Sequence, residues 1–220
     1  MDIKIFYEDE NMIVALKPAK VPSQPDKTGD MDFLTALKLE KNNENIGLIH
    51  RLDRPVGGIM VFSKNKKTET LLSKLMAEKN IKKTYVAVVY GKPPEKGTLR
   101  DYIVKNTRLN VSTIVNSNVK GAKEAILYYD RIAVCEDSEL GVVSLVKINL
   151  ETGRHHQIRV QFANAGFPLV GDMKYNKERR TRKRVDVGLF SAGLSFKPYK
   201  NKEIFEFFEM PESYPFSIFS

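Results

Sequence analysis

The sequence contains one cysteine, Cys135, among 220 residues, so a disulfide framework is excluded. A cysteine count this low is typical of a reducing compartment. No apolar run approaches the roughly 20 residues that a membrane helix needs. The first residues also lack the basic segment followed by an apolar stretch that marks a secretory signal. We therefore expect no membrane association and a cytoplasmic protein.

Several catalytic motifs are also absent. No glycine-rich loop precedes a Lys-Ser or Lys-Thr pair, so the sequence gives no support for nucleotide hydrolysis, and no Gly-x-Ser-x-Gly motif is present. The only histidines are His50, His155 and His156, and no cysteine or acidic cluster accompanies them to complete a set of metal ligands. We therefore predict that the protein has no metal site.

Acidic residues are fewer than basic ones, with 27 Asp and Glu against 36 Lys and Arg, which gives a net charge of +9. A charge of this size favours polyanionic partners, chiefly nucleic acid, although a lysine-rich solubilising surface explains it equally well. Five of the basic residues lie close together in one stretch: Arg179, Arg180, Arg182, Lys183 and Arg184. Self-repulsion predicts a loop there, which either binds phosphates or is simply solvated.

The composition is that of a globular protein, with 42% hydrophobic and 29% charged residues. No repeat or Gly/Ser linker divides the chain, so we interpret residues 1–220 as a single domain. Many β signals alternate with a few helical ones, including a strand at 48–52, a helix at 66–80 and a helix at 154–165. This pattern predicts an α+β fold, with a few helices flanking a large mixed, mostly antiparallel sheet.

An acidic residue, Asp53, lies between Arg51 and Arg54, where an apolar segment meets a glycine-containing turn. Neighbouring positive charges keep a carboxylate ionised, and an ionised carboxylate at such a position serves as a nucleophile or a general base. The alternative interpretation is a surface Arg–Asp pair beside a turn.

Two further segments contain candidate residues. Tyr85 lies in a predicted strand next to lysines, where it either stacks on a base or packs in a half-buried sheet. In the helix predicted at 154–165, His155 and Arg159 share a face on a polar flank, away from Ile158 and Phe162. A solvated basic face is the alternative for this helix.

Together these segments resemble the RluA-like family of RNA pseudouridine synthases. The resemblance covers residues 6–208, and its segments occur in the family's order: Asn11–Pro18, Ile49–Arg54, Lys82–Gly91, Thr152–Arg159 and Pro168–Tyr175. The sequence departs from the family pattern after Arg54, where Pro55, Val56 and Gly57 replace the usual acidic residue, Thr and Ser.

The resemblance implies an isomerase that converts specific uridines in structured RNA, either tRNA or rRNA, to pseudouridine. It makes Asp53 the catalytic aspartate and Arg159 the residue that holds it. It also implies that Arg51 helps to displace the target base and that Tyr85 packs on that base. No cofactor or metal is implied, and a monomer is expected. We also expect no N-terminal RNA-binding extension, so that RNA binds to the basic surface of the catalytic domain.

Two alternatives are retained. The first is a non-catalytic RNA-binding protein with the same fold, although an altered Asp53 would be its signature and Asp53 is intact. The second is a glycoside hydrolase, which needs two carboxylates flanking the scissile bond. The sequence shows no second acidic motif of this kind.

Overall fold

The computed structural model describes residues 1–176, 185–198 and 203–220. Within them lie α1 (Phe33–Lys41), α2 (Lys66–Ala77), α3 (Gln157–Asn164) and a short 3-10 helix (Phe216–Phe219). The strands are β1 (Ile5–Glu8), β2 (Met12–Lys17), β3 (Gly47–Leu48), β4 (Gly57–Ser63), β5 (Lys82–Tyr90), β6 (Lys96–Asn106), β7 (Val111–Val115), β8 (Lys123–Asp137), β9 (Gly141–Leu150), β10 (Leu189–Phe196) and β11 (Phe205–Phe208).

Most strand pairs are antiparallel, while β4 and β10 pair in parallel. The predicted α+β class, with a large mixed, mostly antiparallel sheet and a few helices, is therefore confirmed. The basic stretch from Arg179 to Arg184 lies outside the described residues.

The chain divides into two compact units. The first unit comprises Met1–Lys83 with Phe190–Met210, and the second comprises Thr84–Leu189 with Pro211–Ser220. The interpretation of residues 1–220 as a single catalytic domain stays a prediction.

In the first unit, β4 is bordered on both edges. β2 runs antiparallel along one edge, from Met12 opposite Ser63 to Lys17 opposite Gly58. Since a strand has only two edges, β3 and β10 share the other. β3 lies opposite the end of β4, and β10 lies opposite its start. The segment that connects β3 to β4 therefore leaves the sheet at the point along β4 where β3 ends and before β10 begins.

The core of the first unit lies between the sheet and α2. Alternate residues of β2 and β4 point to one face, and there Met12, Val14, Ile59 and Val61 pack with Leu72 of α2. The helices begin where side-chain caps are available. The Asp32 carboxylate accepts the Thr35 backbone N–H at 3.0 Å and thereby starts α1.

In the second unit the strand order is β5-β9-β8-β6-β7, and all of these neighbours are antiparallel. The predicted helix at 154–165 begins three residues late, at Gln157. The reason is that His156 has a left-handed backbone, with φ of 53°, so the chain turns sharply before the helix. His155 therefore precedes the helix and does not share a helical face with Arg159.

Among the described residues, no helix combines the length and the apolar character needed to cross a membrane.

Candidate active site

The predicted strand at 48–52 is wrong beyond Leu48, because β3 ends there and the chain continues as an irregular loop. The imidazole of His50 accepts a hydrogen bond from β4 that a continued strand would have accepted through its main chain. Its Nε2 accepts the backbone N–H of Val61 in β4 at 3.3 Å. A side chain thus replaces a main-chain partner, and the backbone is released from the sheet just before Asp53.

The next part of this loop is fixed by a serine from a distant segment. The Ser23 hydroxyl donates to the Leu52 carbonyl at 2.9 Å, and the Leu52 N–H donates back to Ser23 Oγ at 3.1 Å. One hydroxyl therefore satisfies both polar groups of the residue that precedes Asp53.

Asp53 itself is half-buried. Its carbonyl accepts the Val56 N–H at 2.9 Å, which closes a turn over residues 53–56. The backbone of Asp53 is thus held by hydrogen bonds on both sides, from Leu52 and from the turn. A carboxylate on a backbone held in this way is suited to act at one defined position.

The two flanking arginines differ in their surroundings. Arg51 is exposed. Arg54 is bound to the loop that follows β2. Its Nε donates to the Lys20 carbonyl at 3.2 Å and its Nη1 to Thr28 Oγ1 at 2.8 Å. Arg54 also forms ion pairs with Asp26 and Asp30. The residues before and after Asp53 are therefore both attached to the 18–30 loop.

A buried lysine lies within the electrostatic range of Asp53. Lys17 is fully buried, and its Nζ donates to the carbonyls of Pro18 at 2.8 Å and Val21 at 2.7 Å. Burial lowers the pKa of Lys17 to about 7, while the negative charge of Asp53 opposes this shift. The two hydrogen bonds of Lys17 fix the start of the 18–30 loop.

In the second unit, Arg159 lies in α3 and is buried, so the predicted polar flank is wrong. Its Nε donates to Asp172 Oδ2 and its Nη2 to Asp172 Oδ1, both at 2.7 Å. A bidentate arrangement of this kind fixes the plane of the guanidinium group.

The face of the Arg159 guanidinium is also covered. Its Cζ lies 5.3 Å from the centre of the Tyr175 ring. The Tyr175 hydroxyl accepts the Ser112 N–H and bonds to His156 Nδ1, both at 2.7 Å. Burial, together with the positive charge of Arg159, lowers the pKa of His156 to about 2, so that His156 is neutral.

Tyr85 lies in β5 opposite Ile148 of β9 and is only 7% exposed. Its ring is therefore largely covered. Both interpretations of Tyr85, contact with a base and packing in the sheet, stay predictions.

The four predicted site residues are divided between the units: Asp53 and Arg51 in the first, Tyr85 and Arg159 in the second. The sequence did not identify Ser23, His50 and Lys17 around Asp53, or Asp172 and Tyr175 around Arg159. A charged residue within an otherwise apolar strand was the one available signal for Lys17. Among the described residues, no three His, Cys, Asp or Glu side chains form a group that could hold a metal ion.

Comparison with known proteins gives consistent matches. Residues 11–164 match the family described as RNA pseudouridylate synthase. The chain is 33% identical over 177 residues to the ribosomal large subunit pseudouridine synthase C of Rickettsia bellii, covering 80% of this chain and 57% of that protein. It is 31% identical over 195 residues to the tRNA pseudouridine synthase C of Haemophilus ducreyi, covering 84% and 79%.

The fold also matches a solved structure, that of human RNA pseudouridylate synthase domain containing 1. The TM-score is 0.80 at 21% identity, over 96% of this chain and 84% of the human one. The chain spans less than two thirds of the length of several curated relatives that it matches.

Proposed function

Since the chain belongs to the RNA pseudouridylate synthase family, we propose that it is an isomerase that converts specific uridines in tRNA or rRNA to pseudouridine. Asp53 is its catalytic aspartate. The observation that carries this proposal is the placement of Asp53, half-buried and held by hydrogen bonds on both sides of its backbone.

The proposed reaction is a rearrangement within one nucleotide. The N1–C1′ glycosidic bond breaks, the uracil turns, and a C5–C1′ bond forms. The C5 proton is lost and N1 gains a proton, so nothing is oxidised or added overall. Such a reaction needs no cofactor or metal, and it requires a carboxylate that acts as a nucleophile or a base.

The target base must leave its stack before Asp53 can reach it, which costs a few kcal/mol. We assign the displacement to Arg51, whose exposed side chain follows His50 in the loop. Tyr85 packs on the displaced uracil, and base–aromatic stacking returns about 1–3 kcal/mol. A closely fitting pocket keeps the detached uracil in place until it rejoins the sugar.

Arg159 holds the Asp53 carboxylate in this proposal. Its contacts with Asp172 and Tyr175 support the assignment, because they fix the guanidinium on one edge and on one face. A positive charge beside Asp53 would favour the ionised carboxylate.

The β6–β7 hairpin and the loop after it supply a surface for RNA phosphates. Five basic residues lie in this region with one acidic residue, Asp101, and all five are exposed: Lys96, Arg100, Lys105, Arg108 and Lys120. Two of them have acidic partners on β8, since Arg100 pairs with Glu124 and Lys96 with Asp130. The end of the hairpin is fixed near the Arg159 network, because Lys174 Nζ donates to the Asn110 carbonyl at 2.8 Å. We assign RNA binding to this surface. We also propose that the protein acts in the cytoplasm and as a monomer.

Tritium release tests the function directly. The protein is incubated with tRNA and rRNA transcripts that carry tritium at C5 of uridine, and label appearing in water is measured. A synthase releases label in proportion to the pseudouridine formed. A non-catalytic RNA-binding protein would retain the transcript without releasing label, and that result would contradict the proposal.

A further inference from the structure

We propose that Ser23 is a positioning residue for Asp53, acting through the backbone of Leu52. This inference rests on the proposed function, because it assigns a catalytic consequence to a contact next to the proposed catalytic residue.

The contact between Ser23 and the Leu52 backbone is buried and replaces a strand neighbour. Ser23 is 5% exposed and Leu52 is 6% exposed, so water has little access to either. Within the residues that the structure describes, the two bonds to Ser23 Oγ are the only hydrogen bonds of the Leu52 backbone. Ser23 therefore provides what a neighbouring strand normally provides, an acceptor for the N–H and a donor for the carbonyl.

A hydroxyl is the side-chain group that does this with one atom, because it donates one hydrogen and accepts through its lone pairs. The serine is itself held in place. Lys17 Nζ fixes the carbonyls of Pro18 and Val21, and Arg54 binds the Lys20 carbonyl. The position of Oγ is thus determined by the 18–30 loop.

The consequence concerns the direction of the carboxylate. Leu52 and Asp53 share a peptide bond, so the Leu52 carbonyl that Ser23 binds belongs to the peptide plane from which Asp53 starts. The other side of Asp53 is set by the turn to Val56. Without the Ser23 bonds, one of these two restraints is removed, and the Leu52 peptide becomes free to rotate while the turn persists.

The test compares Ser23→Ala with Ser144→Ala. Ser144 is a matched control, since it is fully buried in the second unit and its hydroxyl donates to the Gly91 carbonyl at 2.7 Å. Ser23→Thr restores the hydroxyl. For each protein, kcat, KM and the midpoint of thermal unfolding are measured, with activity assayed well below that midpoint.

We expect Ser23→Ala to lower kcat by about 10- to 100-fold with KM nearly unchanged, because a small misplacement of a reacting group has effects of this size. Ser23→Thr should recover a large part of kcat. Ser144→Ala should lose stability without a comparable loss of kcat.

Amide hydrogen exchange at Leu52, followed by NMR, gives a readout that does not depend on activity. Exchange should accelerate in Ser23→Ala and stay unchanged in Ser144→Ala. Faster exchange with an unchanged kcat would overturn this inference alone. A wild-type protein that releases no tritium from any tRNA or rRNA would overturn the proposed function, and the catalytic part of this inference with it.

Discussion

Arg159 has a structural task in its contact with Asp172, and the proposed function gives it a second, catalytic one. Its ion pair with Asp172 is buried, so each of the two groups gives the other a partner of opposite charge. Removing one partner of such a pair costs about 3–5 kcal/mol, because the other charge stays buried alone, whereas replacing both partners by apolar residues is often neutral. This difference allows the structural task to be restored without the catalytic one.

We expect Arg159→Ala to lower the free energy of unfolding by about 3–5 kcal/mol. The double variant Arg159→Met/Asp172→Leu should recover most of that loss. Tritium release should nevertheless stay strongly reduced in both variants, because neither provides a positive charge for Asp53. Urea unfolding and the release assay measure the two effects. A double variant with normal release would show that Arg159 has only the structural task.

At the scale of elements, regular periodicity was sufficient for most of the molecule. The helix predicted at 66–80 is α2, and the predicted strand that contains Tyr85 is β5. Local sequence was enough for both, since their partners are other regular elements. The loop before Asp53 was not predictable in this way. Its hydrogen bonds come from the side chains of His50 and Ser23, and Ser23 is 29 residues away in sequence.

The start of α3 was predicted wrongly for a different physical reason. The apolar spacing of residues 158–165 indicates a helix correctly, but spacing does not reveal that His156 takes a left-handed backbone. That conformation is supported by contacts far along the chain, including the bond between His156 and Tyr175. The burial of Arg159 follows from Asp172, and no local pattern linked these two residues.

The parallel pairing of β4 with β10 depends on Gly58. Its φ is 136°, and a Cβ there would collide with the backbone of Ser191. Gly58→Ala should therefore lower the free energy of unfolding by roughly 1–3 kcal/mol through overpacking. This loss adds to the cost of placing an alanine at a positive φ. Gly121→Ala is a suitable control, because Gly121 also has positive φ but no atom within 4 Å of a Cβ. Its expected cost is only about 1–2 kcal/mol.

Urea unfolding of the two glycine variants measures the difference. Gly58→Ala should be clearly less stable than Gly121→Ala and should also release less tritium, because the start of β4 closes the loop that carries Asp53. Equal stabilities would contradict the close approach of Gly58 to Ser191.

For the whole molecule, stability should fall as the pH is lowered below about 6.5. Burial, together with the charge of Lys83, lowers the pKa of His50 to about 3. His156 behaves similarly, with a pKa of about 2. Each ring stays neutral in the folded state, while in the unfolded state it takes up a proton near pH 6.5. The contribution of these two histidines to stability is thus complete above pH 6.5 and decreases as the pH falls toward these values.

Between pH 7.5 and 5.0 the decrease should be about 2 kcal/mol for each histidine. Urea unfolding at the two pH values measures it. His50→Gln keeps an acceptor for the Val61 N–H but does not titrate, so it should remove about half of the pH dependence. A wild-type stability that is equal at both pH values would mean that these rings are protonated in the folded protein.

RNA affinity should depend strongly on salt, through release of the counterions of the phosphates. We expect Lys105→Gln/Arg108→Gln to weaken binding and to reduce the slope of log affinity against log salt by about 0.7–0.9 for each phosphate that the variant no longer neutralises. Replacement of the five basic residues from Arg179 to Arg184 should have a similar, peripheral effect. The exposed pair Lys66→Gln/Lys67→Gln in α2 is the control. Slopes that superimpose on the wild type would remove the substituted segment from the RNA-binding surface.

The central claim is that Asp53 performs the isomerisation, and Asp53→Asn tests it most directly. The substitution keeps the size of the side chain but removes its charge and its nucleophilic oxygen. Tritium release at saturating RNA should fall by more than about 10³-fold, while RNA affinity, which depends on phosphate contacts, stays within about threefold of the wild type. Asp130→Asn, in which a half-buried strand carboxylate is changed, should release tritium normally. An Asp53→Asn protein that releases tritium within about tenfold of the wild-type rate would contradict the claim.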